Sequence, residues 1–458
     1  MNNLTTAVLD FFRQISAIPR QSGNEKGMQE YLVNFAINRH LPYYQDQYNN
    51  VIIYKKTADQ EPIILQAHTD MVYVKTPNSQ HDLRRDGINL VVKGNWLHAK
   101  DTSLGADDGI GVALILAILD ADIPCNLEAV FTASEETTMQ GAYQLDITKL
   151  KAKKLICLDG FENNAIVVSS ASFTDFLVNF ATQSQPLSDS GYCSYRIVIS
   201  GLAGGHSGFD IDKQRGNSHQ LAVSLLRKLP NVLLSKFVGG HQFNVIPAKT
   251  EVIFATTTDE ITMKKQVTTF LKEQQKLYPL LKITFEMLTQ PVEILRNSEN
   301  ILQFISEFTY GVLLKDEQAN VIVSQNLSEV DTTAGTMKIG IRSNIDNEAA
   351  TMVNQLKALC QKCGLNGTVI DTQPGFNTLP NSSLLTDLQR ANPMAEVIKM
   401  HIAVECGIFQ SRIPNLDTVI ISPTILNAHS PEEKLDLDSV ANTVNWLKEY
   451  LINFSVKY

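Results

Sequence analysis

No stretch of this sequence approaches the ~18 consecutive apolar residues that a membrane span requires. The N-terminal "MNNLTTAVLDFFRQISAIPR" lacks a basic n-region followed by an apolar h-region. Its Leu4, Val8, Phe11, Phe12 and Ile15 fall at helical spacing, which predicts an amphipathic first helix ended by Pro19. Nothing here directs the chain out of the cell, so the expected location is cytoplasmic. Basic residues are in deficit, 39 Lys and Arg against 48 Asp and Glu, for a net charge of −9. That balance argues against nucleic acid or an anionic membrane as a main partner. The six cysteines are scattered. Only Cys360 and Cys363 form a CxxC, inside the helical "NEAATMVNQLKALCQKCG", with no second pair or histidines nearby to complete a zinc ribbon. Ordinary reduced thiols are expected. What the chain does have is length, 458 residues with 44% apolar content. That is globular, and more than one ordinary core.

Three apolar runs of strand length end in metal-ligand side chains. "PIILQAHTDMV" ends in His68 and Asp70, "LEAVFTASEE" in Glu135 and Glu136, and "KKLICLDGFE" in Asp159. Between the first two lies "DTSLGADDGIGVALILAILDAD", where Asp107 and Asp108 precede a strongly apolar helix. Alternating strand and helix predicts an α/β sheet, in which ligands bind off the carboxyl ends of strands and at adjacent helix starts. An isolated glutamate pair is equally at home on a solvated loop tip. Gathered with His68, Asp70, Asp107 and Asp159, it would make a pocket too anionic to persist without cations. His and carboxylate without Cys suits zinc or manganese in a catalytic site. His68 and Asp70, two residues apart, would share a strand face, as for a metal-bound histidine with an orienting carboxylate. Asp108 is placed to cap the helix.

The motifs "HTDMV", "SLGADDGIG", "TASEET", "ICLDG", "GLAGGHSG", "FNVIP", "ECGIF" and "NAHSPEE" occur in this order. Together they resemble the co-catalytic zinc peptidases of the aminoacylase, carboxypeptidase and dipeptidase superfamily, and within it the aminoacyl-histidine dipeptidase branch. The resemblance runs from "ISAIPRQSGNE" to "HSPEEKLDL". It implies two zinc ions per subunit, replaceable by manganese or cobalt. One ion would be held by His68, Asp107 and Asp159, the other by the shared Asp107 with Glu136 and His429. Glu135 matches the general base acting on a water between the ions, and Asp70 the orienting carboxylate. A cis peptide between Asp107 and Asp108 is also implied. His206, in "GGHSGFD", matches a histidine that polarises the scissile carbonyl, supplied in several relatives by the partner subunit. Arg342, in "KIGIRSNID", matches an arginine that grips a substrate carboxylate, a task its planar fork suits. Asn244 in "FNVIP" and Gly407 in "ECGIF" are candidates for lining the substrate pocket. Two stretches, "QPGF" and "GGHSGFDIDKQRG", depart from the family pattern and bear on side-chain specificity.

From about Gly191 the pattern changes to short strands and amphipathic helices that recur once, which predicts two tandem β-α-β-β-α-β units. The expected fold class is α/β: a zinc-peptidase catalytic domain with a mixed sheet flanked by helices, plus an inserted α+β lid of two ferredoxin-like units. The expected divisions are 1–188 and 375–458 for the catalytic domain and 189–374 for the lid. The function implied is hydrolysis of dipeptides, of Xaa-His type and broad specificity, by a homodimer paired through the lid, with a small peptide as substrate. The alternatives are a deacylase of N-acyl amino acids, an aminopeptidase, or a non-catalytic dimer that binds peptides. A phosphoesterase would want clustered Lys or Arg for phosphate, and Arg342 alone is thin provision.

Overall fold

The computed structural model describes residues 3–57, 61–82, 84–187 and 191–456. The chain divides into two units, one of residues 1–170, 376–400 and 404–458, the other of residues 171–375 and 401–403.

The first unit is built on an eight-stranded mixed sheet. At its centre Leu127–Thr132, Ile63–His68, Lys154–Cys157 and Asp417–Ile420 lie side by side and parallel. All are buried along their length except Lys154 at the start of one, the continuous apolar signature of strands covered on both faces. Tyr43–Gln45 and Val51–Lys55 add antiparallel to one edge. The helix Ala106–Asp120 is apolar all round, with every residue from Ala106 to Leu119 buried, as a helix wrapped by core must be. It packs on the strand Ile63–His68 and under the first helix, Asn3–Ser16. That first helix is the amphipathic segment read from the sequence, burying Val8, Phe11, Phe12 and Ile15. No described helix is long and apolar enough to cross a membrane.

The second unit holds a nine-stranded antiparallel sheet with its own apolar core. Cys193–Ser200, the helix Ser218–Leu226, Leu233–Gly239, Thr250–Thr256, the helix Glu260–Gln274 and Lys282–Met287 form a β-α-β-β-α-β unit. The other such unit consists of Ser172–Asn179, the helix Ser298–Glu307, Val321–Asp331, Thr336–Ser343, the helix Asp346–Lys362 and Asn366–Gln373. The two are nested and not tandem, because the first lies between the opening strand and the opening helix of the second. Pairing of Val238 with Asp331 and of Gly239 with Val330 joins them into a single sheet. Ser172–Asn179 pairs with Thr336–Ser343 on one side and Asn366–Gln373 on the other. The unit therefore begins at Ala171 and not at 189. The chain returns to the first unit at Phe376. Helix starts here follow side-chain chemistry. Asn217 accepts from the N–H groups of His219 and Gln220, so the helix begins at Ser218. All six cysteines are free, as expected.

Candidate metal centre

Because Leu127–Thr132, Ile63–His68 and Lys154–Cys157 are adjacent and parallel, their carboxyl ends open on one edge. His68 is the last residue of its strand, Asp159 lies two past its own, and Glu135 and Glu136 follow Thr132 by three and four. The helix holding Asp107 starts against the same edge, and the Asp107–Asp108 peptide is cis. Two donor sets result, His68 with Asp107 and Asp159, and Asp107 with Glu136 and His429. Asp107 spans them: its Oδ1 lies 3.2 Å from His68 Nε2 and its Oδ2 3.0 Å from His429 Nε2. His429 Nε2 is also 2.9 Å from Glu136 Oε2. Ligand bonds of about 2.0–2.2 Å around a tetrahedral ion put donors about 3.4 Å apart, close to these spacings. The donor set and its spacing therefore fit a pair of divalent cations. Glu135 also comes close to His68 and Glu136, so proximity by itself does not separate a ligand from a base.

The charges show the same need. Burial, then repulsion from Asp107, pushes Asp159 up to about 7. Burial, then Glu136 and Asp159, holds the Glu135 carboxyl well above the usual range. Burial opposes it, yet hydrogen bonds to Asp107 and Glu136 carry His429 up to about 11. Divalent cations among these carboxylates would relieve the same crowding. His429 and Ser134 both have φ of 61°, a left-handed backbone uncommon outside glycine, and both sit in the loops that carry ligands.

Asp70 is fully buried just past the strand. It lies 3.6 Å from His68 Nδ1, an ion-pair distance and not a hydrogen bond. Its oxygens are taken by Ser22 Oγ at 2.7 Å and by the N–H groups of Glu135 and Glu136 at 3.0 and 3.2 Å. Asp70 thus holds the acid pair in place as well as facing His68. Asp108 accepts from the N–H of Gly111 at 3.1 Å and serves as the helix cap.

Three charged residues that no spacing pointed to complete the surroundings. Glu433, buried, accepts from four consecutive backbone N–H groups, those of Leu104, Gly105, Ala106 and Asp107, at 2.7 to 3.3 Å. Arg20, also buried, donates to the carbonyls of Thr69, Asp70 and Gly105. Its guanidinium lies where Cβ atoms on Gly105 or Gly109 would fall closer than 3.0 Å. Glu405 accepts from Gln66 Nε2 at 2.7 Å and from Thr132 Oγ1, and burial pushes it up to about 8. The only hint in the sequence is proximity to motifs: Glu433 follows His429 by four, and Glu405 opens "ECGIF" beside the candidate Gly407, which is buried in the same helix.

His206, Arg342 and Asn244 belong to the second unit. His206 pairs with Val245 on a short antiparallel bridge, and the Asn244 carbonyl accepts from Ser207 N–H at 2.8 Å. His206 Nδ1 accepts from the N–H groups of Gly208 and Phe209 at 3.2 and 3.3 Å. Its Nε2 lies 3.3 Å from Arg342 Nη2. Arg342 is buried, stacks on Phe173 at 4.1 Å, donates to Ser207 Oγ at 3.2 Å, and is lowered by burial to about 9. The Asp175 carboxylate draws it part of the way back up.

A parallel-centred α/β sheet with histidines and carboxylates gathered at its carboxyl edge is the setting of a catalytic metal site. The chain belongs to peptidase family M20/M25/M40, whose model matches residues 64–453. It is 30% identical over 474 residues to the cytosol non-specific dipeptidase of Escherichia coli strain K12, covering 98% of this chain and 97% of the relative. Its structure is similar to that of an aminoacylhistidine dipeptidase from Vibrio alginolyticus, with a TM-score of 0.83, 27% identity and 98% of each chain covered. A tripeptidase from Staphylococcus aureus shares the fold, with a TM-score of 0.58 at 16% identity over 99% of each chain.

Proposed function

We propose that this chain is a cytoplasmic dipeptidase that works with two divalent cations, zinc being the ion its donors suit best, and that it accepts Xaa-His dipeptides within a broader range. The observation that carries the reading is the meeting of two donor sets on the single Asp107 carboxylate. The relatives named for dipeptide and aminoacylhistidine hydrolysis support the substrate class. The bound pair would supply Lewis acidity and make water a nucleophile near neutral pH. Glu135, kept off the metals and oriented through its N–H bond to Asp70, takes a proton from the attacking water on its carboxylate. It then passes that proton to the leaving amine nitrogen. His206 offers Nε2–H to the carbonyl oxygen as negative charge develops there. Arg342 receives the free C-terminal carboxylate and so restricts the substrate to short peptides. Asn244 and Gly407 line the pocket.

His206 and every ligand candidate lie in different units of the chain. A homodimer in which each subunit lends His206 to its partner accommodates this. The edge strand Asn366–Gln373 offers a surface for such pairing. It lies at the end of the sheet with Val369 and Ile370 exposed, an edge that invites a second copy. The test of the function is a dipeptide panel that includes β-alanyl-histidine, run on chelated protein before and after adding Zn, Mn or Co. Activity that survives chelation, or a panel with no dipeptide turned over after metal is restored, overturns the reading.

A further inference from the structure

The loop 104–107 is gripped from two sides by buried, oppositely charged side chains. Glu433 takes its four N–H groups, including that of Asp107 itself. Arg20 takes the Gly105 carbonyl and, with its other terminal nitrogen, the carbonyls of Thr69 and Asp70, immediately after His68. Arg20 therefore ties the loop bearing Asp107 to the strand end bearing His68. Glu433 ties the same loop to the turn bearing His429, four residues upstream of it. Each N–H taken by a carboxylate is a charge-assisted bond, and four converging on one group leave it little freedom. Neither side chain belongs to either donor set. Both act on where Asp107 stands.

We propose that Arg20 and Glu433 are positioning residues that place the Asp107 carboxylate between the two donor sets, and that Glu433 governs cation retention in the set of Asp107, Glu136 and His429. The proposal rests on the reading that these sets hold cations. Its logic follows from which ligands each clamp joins. Glu433 connects two ligands of one set, Asp107 and His429. Arg20 connects Asp107 to His68 of the other. Replacing Glu433 by Gln puts an amide N–H₂ against N–H groups it cannot accept from. Arg20 still holds the loop to the strand end of His68, so Asp107 stays with His68 and Asp159 while the turn of His429 moves away. Loss of a residue that orients metal ligands typically weakens binding about 10- to 100-fold.

The experiment is zinc content and affinity of the full-length protein, by elemental analysis and by titration of chelated protein against a competing chromophoric chelator. The wild type is expected to bind two zinc ions. Glu433→Gln is expected to bind one with unchanged affinity and the second about 10- to 100-fold more weakly. The weakened ion is assigned by combination. Glu433→Gln with His429→Ala should still retain one tight zinc, whereas Glu433→Gln with Asp159→Asn should retain none. Arg20→Lys should weaken the ion that depends on Asp159. If Glu433→Gln proves unfolded, Glu433→Asp keeps the charge, withdraws it by one methylene, and should show the same selective loss in milder form. Equal affinity for both ions in the Glu433 variants, or equal weakening of both, overturns the positioning role. A merely structural residue would lower the melting temperature of the chelated protein without that selectivity. A wild type that binds no zinc overturns the metal reading itself, and so separates the two failures.

Discussion

The most informative perturbation falls on Arg342. Its guanidinium is buried and held down at about 9 against an ordinary 12.5, a deficit of about 5 kcal/mol at 1.36 per pH decade. A substrate carboxylate arriving there recovers part of that deficit. A hydrogen bond to a charged group contributes about 1.5–3 kcal/mol net, or about 10- to 150-fold in affinity at 1.4 kcal/mol per decade. Arg342→Met keeps the volume and removes the fork, and should raise KM for a free dipeptide by that factor while kcat moves much less. Amidating the C-terminus of the same dipeptide removes the other partner. The wild type should pay a similar penalty on the amide, and Arg342→Met should pay no further one. The assay is a four-cornered cycle of steady-state kinetics, two enzymes by two substrates. The reasoning fails if the wild type treats acid and amide alike, or if the two penalties simply add.

Two further outcomes follow from the site. Glu135→Ala should abolish turnover and keep both metals, whereas Glu136→Ala should release one, and elemental analysis showing equal loss in both variants contradicts the division of labour. His206→Ala should lower kcat by about 10²–10³-fold with metal content unchanged. If the residue acts across a dimer, mixing inactive His206→Ala with inactive Glu135→Ala should restore part of the activity. No recovery after verified subunit exchange excludes action in trans.

The elements that could be read in advance were those whose signal is local. The runs ending at His68, Thr132 and Cys157 are short, apolar and followed by ligand-type residues, and each is a central strand. The nesting in the second unit was not legible, because Ser172–Asn179 looks like any half-buried strand and nothing in "SFTDFLVN" says which sheet it joins. Arg20, Glu405 and Glu433 were missed for a different cause. A charged residue is normally outside, and most of what these bind is backbone N–H and C=O of distant segments, groups that every residue carries. Asp70 lies between these cases. Its type and place were evident, but its bonds to the N–H groups of Glu135 and Glu136 became visible only in three dimensions.

The glycines around the buried charges set a limit on how this protein can be stabilised. Gly109 and Gly111 sit inside the helix Ala106–Asp120, where alanine would ordinarily add about 0.5–1 kcal/mol. A methyl at Gly109 would meet the Arg20 guanidinium, and one at Gly111 the Asp108 carboxylate, each closer than 3.0 Å. The helix thus forgoes intrinsic propensity to leave room for charges that water would otherwise solvate. Propensity-guided redesign would select these two positions early. It should find that the smallest available side chain is already too large, and that thermal stability and metal retention fall together.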